Sequence, residues 1–129
     1  MEGRIAGNRA AASRTAKGRA AEDVVAVAMA SGGWTIVARN WRRGAGELDI
    51  VACRDGTLAF VEVKATDAFG IEGLESSVGR RKRQRIVETS KLFIAAHREF
   101  EYAAIRYDVA SVKAGAMAEY FENAFAERT

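Results

Sequence analysis

Residues 46 to 66 read GELDIVACRDGTLAFVEVKAT, two apolar runs joined by Asp55-Gly56. That dipeptide is the preferred filling of a two-residue type I′ hairpin, because both central positions of that turn need positive φ. It fixes the register. With Arg54 and Thr57 flanking the turn, counting outward sets Ile50 against Val61, Asp49 against Glu62 and Glu47 against Lys64. The two-residue period of a strand puts Glu47, Asp49, Glu62 and Lys64 on one face with Val51, Cys53, Leu58 and Phe60. Leu48, Ile50, Val61 and Val63 take the other. Both faces are apolar, so both need a cover, and a sheet covered twice implies an α/β protein.

The charges are harder to place. Opposed residues on antiparallel strands have Cβ atoms about 4.5 to 5.5 Å apart, and two acids at that distance repel unless a cation lies between them. A charged, solvated hairpin face is the plain alternative. The apolar residues sharing the face weigh against it, and ionisable groups clustered beside apolar walls mark a candidate site.

The rest of the chain supplies covers for the sheet. Ala21, Val24, Val25, Ala28 and Met29 recur at helical spacing within about 13 to 31, and Gly32-Gly33 ends the pattern. TIVARNWR (35 to 42) reads as a strand before the hairpin, giving an antiparallel meander. Residues 66 to 79 read as a loop. A second helix is expected over about 80 to 98, with Ile86, Ser90, Phe93, Ile94 and His97 along one side, and a further long strand over 103 to 113. AEYFENAF (118 to 125) fits strand or helix. At 129 residues the chain suits one domain, over 16 to 129, behind a basic arm at 1 to 15.

Composition narrows the classes. No run approaches the roughly 18 apolar residues of a membrane span, and the N-terminus lacks a secretory h-region, so a cytoplasmic protein is expected. Cys53 is the single cysteine, which excludes an intramolecular disulfide and argues against a structural zinc site. Twenty Lys and Arg against 17 acids give a formal net charge of +3. More telling is the clustering: RRKRQR at 80 to 85 opens the second helix, where the helix dipole disfavours cations. Phosphates would compensate, since cations and free amides at a helix N-terminus make an anion site. Arg81, Lys82, Arg83 and Arg85 are therefore candidate nucleic-acid contacts, Lys82 above the others because it lies one turn before Ile86; a solvated basic surface is the competing reading. His97, Trp34, Trp41, Phe60 and Phe93 are read as core or strand residues.

A carboxylate on one strand followed after a turn by acid, any residue, lysine resembles the PD-(D/E)xK nuclease motif, carried by Asp49, Glu62 and Lys64. GRAAE (18 to 22), RNWR (39 to 42), GELDIVA (46 to 52), FVEVK (60 to 64) and RYDVASV (106 to 112) are similar to the YraN-like family of small bacterial proteins, across nearly the whole chain. The resemblance implies a Holliday-junction-resolvase-like fold: a restriction-endonuclease-like α/β core of helix, three-stranded antiparallel meander, helix and strand, with a mixed sheet. It implies a catalytic set of Asp49, Glu62, Lys64 and Glu22, with Mg²⁺ or Mn²⁺ on Asp49, Glu62 and the Val63 carbonyl. It also implies, by analogy with junction-cleaving relatives, a homodimer. Two departures stand out. Leu48 occupies the place of the superfamily's proline, and Ala65-Thr66 stand where Thr-Arg is common, removing a cation near the substrate.

The chemistry suits those residue types. Hard divalent ions take oxygen ligands, usually one or two carboxylates plus water and phosphate oxygens. Lys64 would orient or deprotonate the attacking water, and Glu47 would be its ion-pair partner. The expectation is a metal-dependent endonuclease acting on DNA, branched DNA included. The alternative is a nucleic-acid-binding module with weak or no catalysis, or a protein-interaction component of a nucleic-acid-processing assembly.

Overall fold

A computed structural model describes residues 9–65 and 79–126, with side chains from residue 18 onward. Helix α1 (Arg9–Ser31) is followed by β1 (Thr35–Arg43), β2 (Gly46–Arg54) and β3 (Thr57–Ala65), then helix α2 (Arg80–Ala96), β4 (Ala104–Lys113) and β5 (Ala116–Phe125). The strands form one sheet in the order β1-β2-β3-β4-β5. β1 to β3 are an antiparallel meander, β4 lies parallel to β3 after the α2 crossover, and β5 returns antiparallel to β4. The fold is thus α/β with a five-stranded mixed sheet.

The hairpin register follows from its turn. Asp55 and Gly56 have φ of 50° and 79°, and the ladder runs from Arg54↔Thr57 to Ile50↔Val61. Each face of the sheet has its own core. Val51, Leu58, Phe60, Tyr107 and Val109 pack against Ile86, Val87 and Phe93 of α2. Ile50, Ala52, Ala59, Val61, Ala110 and Val112 pack against Ala21, Val25, Ala26 and Met29 of α1. The chain is a three-layer sandwich, and within the described residues no helix is long and apolar enough to cross a membrane.

Three expectations need adjusting. Helix α1 begins at Arg9, within the stretch assigned to the basic arm, while residues 1–8 and, of the loop expected at 66–79, residues 66–78 lie outside the described residues. The ambiguous segment is a strand, because Ala114 and Gly115 (φ 54° and 80°) form a second tight hairpin turn. Strict alternation also fails at the start of β2. Leu48 joins the α2-side core whereas Ile50 joins the α1-side core, so residues two apart face opposite ways. Glu47 therefore does not share a face with Glu62 and Lys64. The cause lies in β1 opposite Asp49, where Asn40 sits at φ 53° between the pairs Arg39↔Ile50 and Trp41↔Leu48 and turns the strand over.

Gly46 shows why β2 starts where it does. A Cβ there would collide with the hydroxyl of Thr89, a buried α2 residue whose Oγ1 donates to the Arg85 carbonyl. Glycine lets α2 lie directly on the strand, and that approach brings the helix's basic first turn to the acids of the hairpin.

Candidate active site

The ladder of β2 and β3 stops at Ile50↔Val61, and beyond it a side chain replaces the backbone. Val63 donates its N–H to Asp49 Oδ2 at 2.9 Å. Asp49 and Glu62 face each other there, and Glu22 of α1 adds its field from the other layer. Burial foremost, then the Glu62 and Glu22 charges, push the Asp49 carboxyl up to about 8, against the lowering effect of the Val63 N–H. Burial and the facing acid thus favour the neutral, protonated form of Asp49.

Glu62 is itself 7% exposed and meets Lys82 of α2, with Nζ 2.7 Å from Oε2. Lys82 points inward, as its place before Ile86 suggested, but it meets an acid. Around it Arg81 and Arg85 are exposed, and Arg83 is half-buried with an Nε that has no hydrogen-bond partner among the described residues. Arg80 to Arg83 form the first turn of a helix whose N-cap, Gly79, makes no side-chain cap hydrogen bond. A basic rim therefore borders the acids. Lys64 follows one residue after Val63 on β3, half-buried, and no ion pair to it is seen among the described residues. Glu47 is not its partner: Glu47 Oε2 lies 3.4 Å from Arg42 Nε and accepts from Asn40 Nδ2 at 3.3 Å.

On the α1 side, Glu22 is buried against the sheet. Its Oε2 accepts from Asn40 Nδ2 at 3.1 Å, and the Arg39 guanidinium, held by Asp23 at 2.7 Å, is 3.7 Å from Oε1. Burial raises the Glu22 carboxyl above its ordinary value, and the Asn40 hydrogen bond and Arg39 only partly offset this. Glu22 Oε1 is buried without a hydrogen-bond partner among the described residues. Gly18, Arg19, Glu22, Asn40, Arg42, Glu47 and Asp49 line a cavity of about 410 Å³. Asp49 thus stands at the junction of two acid groups, Glu62 on the α2 side and Glu22 with Glu47 on the α1 side.

The donor set is all oxygen, which suits a hard divalent cation and not zinc. Burial foremost and then the facing Glu62 raise Asp49, and a cation beside the two acids would oppose the second of these; Glu22 Oε1 lacks a hydrogen-bond donor among the described residues but already has the Arg39 guanidinium 3.7 Å away. Among the described residues, however, no three His, Cys, Asp or Glu side chains converge as a ready metal cage. An ion here would complete its sphere with water and backbone oxygen, as Mg²⁺ commonly does.

Asn40 and Arg39 escaped the sequence reading as site residues. The one signal available was an Asn inside an apolar strand, the residue type that best tolerates positive φ after glycine. A second buried network also emerges. Asp108, fully buried, takes a bidentate Arg106, the Tyr120 hydroxyl at 2.6 Å and the Asn123 N–H at 2.8 Å. It joins β4 to β5. His97 is half-buried and stacks on Phe93 with ring centroids 4.0 Å apart.

Residues 21–112, the span holding Glu22, Asn40, Asp49, Glu62, Lys64 and Lys82, match the family model described as Uncharacterised protein family UPF0102. Similar chains include UPF0102 proteins from Treponema pallidum (46% identical over 81 residues, 63% of this chain and 64% of that protein) and Synechococcus sp. (40% over 118 residues, 84% and 89%). One from Pseudomonas putida is 35% identical over 120 residues, 90% of this chain and 98% of its own length. This chain spans less than two thirds of the Treponema protein. Matched over most of its length by the family model, the chain belongs to the UPF0102 (YraN-like) family.

Proposed function

We propose that this chain is a metal-dependent endonuclease of the PD-(D/E)xK kind, hydrolysing phosphodiester bonds in DNA, branched DNA included. The observation that carries the reading is the opposition of Asp49 and Glu62 at the point where the hairpin ladder gives way, with Val63 N–H fixing Asp49 and Lys64 one residue further along. A protein that only bound phosphate would have no use for opposed acids beside its basic turn.

The chemistry that Mg²⁺ or Mn²⁺ would supply there is charge neutralisation at the scissile phosphate and a lowered pKa for water. Asp49, Glu62 and the Val63 carbonyl would hold the ion, with Glu22 reaching it through water. Asp49 must give up its proton to do so. The Lys64 ammonium would orient the attacking water and meet phosphate charge as it develops. Arg81, Arg83 and Arg85 would seat the backbone of the nucleic acid, and a two-fold homodimer would present two such sites to a branched substrate.

A second reading has its own support. Lys82 already neutralises Glu62, and no three acids form a ready cage among the described residues, which is what a nucleic-acid-binding module without catalysis would show. Incubation with linear, flapped and four-way DNA, with Mg²⁺ or Mn²⁺ and an EDTA control, separates the two. Metal-dependent cleavage that Asp49→Asn abolishes supports the enzyme; salt-dependent binding without cleavage supports the module.

A further inference from the structure

One row of polar side chains crosses the sheet with its hydrogen bonds incomplete. Lys64 of β3 lies beside Ser111 of β4, and Ser111 lies opposite Glu119 of β5. Side chains at paired positions share a face. That face is the α2 side: two residues before Ser111 stands Val109, two residues after Glu119 stands its partner Phe121, and both belong to the core under α2. Ser111 is 1% exposed, and its Oγ has no hydrogen-bond partner among the described residues. Glu119 Oε1 is likewise buried without one. Lys64 is half-buried and in no ion pair among the described residues.

Each of the three offers what its neighbour lacks. An ammonium only donates, a carboxylate only accepts, and a hydroxyl between them can do both. A buried polar atom left unpaired costs stability, and burial closes Ser111 Oγ and Glu119 Oε1 to an outside ligand. Their partner therefore comes from within the chain. Of the other cations, Lys82 is committed to Glu62, Lys113 is exposed and has a contact of its own, and Arg83 is carried by α2, which packs mainly on β2 and β1. Lys64 stands in the next rung, about 4.8 Å from β4, and its four-carbon stem carries the ammonium over Ser111.

We infer that Ser111 and Glu119 are positioning residues for Lys64: the ammonium donates to Ser111 Oγ, and the Ser111 hydroxyl donates to Glu119 Oε1. The inference rests on reading Lys64 as the group that acts on the attacking water. Glu119 takes the serine proton and so turns the hydroxyl lone pairs toward the lysine. Only one of the three ammonium protons is used, which leaves two for water and phosphate. A long side chain fixed before the substrate arrives has less freedom to lose during reaction. The row also gives Lys64 the holder that Glu47, occupied by Arg42 and Asn40, does not provide.

The first test uses the full chain, free of metal and nucleic acid. If Ser111 is a bridge, Ser111→Ala should raise the unfolding constant about two- to tenfold, whereas loss of an orphan hydroxyl leaves stability equal or higher. In a Lys64→Met background most of that loss should vanish. Carbon relaxation at Lys64 Cε reads the positioning directly, restricted in wild type and looser in both Ser111→Ala and Glu119→Leu. A Ser111→Ala protein as stable as wild type, losses that add in the Lys64→Met background, or a Lys64 Cε equally mobile in all three proteins overturns the inference. Where the wild type cleaves DNA, Ser111→Ala should lower the single-turnover rate at saturating DNA about tenfold to a hundredfold with DNA affinity unchanged. It should lower the rate of Lys64→Met no further. An unchanged rate in Ser111→Ala overturns the positioning role. If the wild type cleaves nothing with Mg²⁺ or Mn²⁺, the nuclease reading fails instead, and the metal-free cycle and the relaxation data decide whether the row holds Lys64.

Discussion

Lys82 Nζ lies 2.7 Å from Glu62 Oε2, so the first turn of α2 is tied by a single ion pair to an acid buried in β3. Lys82→Met deletes the charge and keeps most of the stem. Glu62 then stands buried without its cation, and the metal-free protein should lose about 1 to 2 kcal/mol, less than a fully buried pair would cost because Lys82 is partly exposed. The same variant should gain more from Mn²⁺ than wild type does, since a competing cation is gone. Urea unfolding with and without Mn²⁺ checks both; equal metal stabilisation of the two proteins would refute the competition.

Asp49 makes stability depend on pH in an unusual direction. Its folded carboxyl is pushed up to about 8 from an ordinary 3.8, so the native chain keeps a proton that the unfolded chain releases. The associated stability is complete below the ordinary value and is lost as pH rises through about 8. Metal-free protein should therefore weaken from acid toward pH 8, with a slope of at most about 1.4 kcal/mol per pH unit for one proton. Asp49→Asn, neutral throughout, should flatten the profile and be more stable than wild type at pH 8, as judged by melting temperatures in EDTA across the range.

Gly46→Ala tests the approach of α2 to β2. The new Cβ meets the Thr89 hydroxyl, which has a buried environment and a carbonyl partner in Arg85. Destabilisation of about 1 to 3 kcal/mol is expected from such overpacking. Thr89→Ala in the same chain should return part of it, and a Gly46→Ala protein as stable as wild type would show that the helix can lift off at no cost.

Lys64→Met separates chemistry from binding. Folding and Mn²⁺ affinity should be near those of wild type, while single-turnover cleavage falls by about 10² to 10⁴, the range for a group acting on a proton in flight. Equal rates for the two proteins would remove Lys64 from the catalytic set.

The hairpin could be counted from sequence because Asp55-Gly56 admits one register, and the Asp49–Glu62 opposition came with it. The sidedness of Glu47 could not. It depends on the backbone turn at Asn40, one of several conformations open to an Asn, and a count by twos cannot register it. β5 stayed ambiguous for a related reason: Ala114 takes φ 54°, and alanine gives no sign of a tight turn. Helix phase pointed Lys82 inward, but a side chain with four rotatable bonds reaches several neighbours. Which acid it meets, Glu62 at 2.7 Å, is set by how α2 packs on the sheet and not by helix phase.

The charged groups come from three layers: the acid Glu22 from α1, the acids Asp49 and Glu62 from the sheet, and Lys82, the cation on Glu62, from α2. No two adjacent layers assemble the set alone. A nascent chain stopped before residue 80 carries every carboxylate of the site but not Lys82 or the basic rim. Any cleaving power of this protein is accordingly a property of its finished tertiary structure, and turnover would serve as a readout of the correctly layered fraction in any preparation.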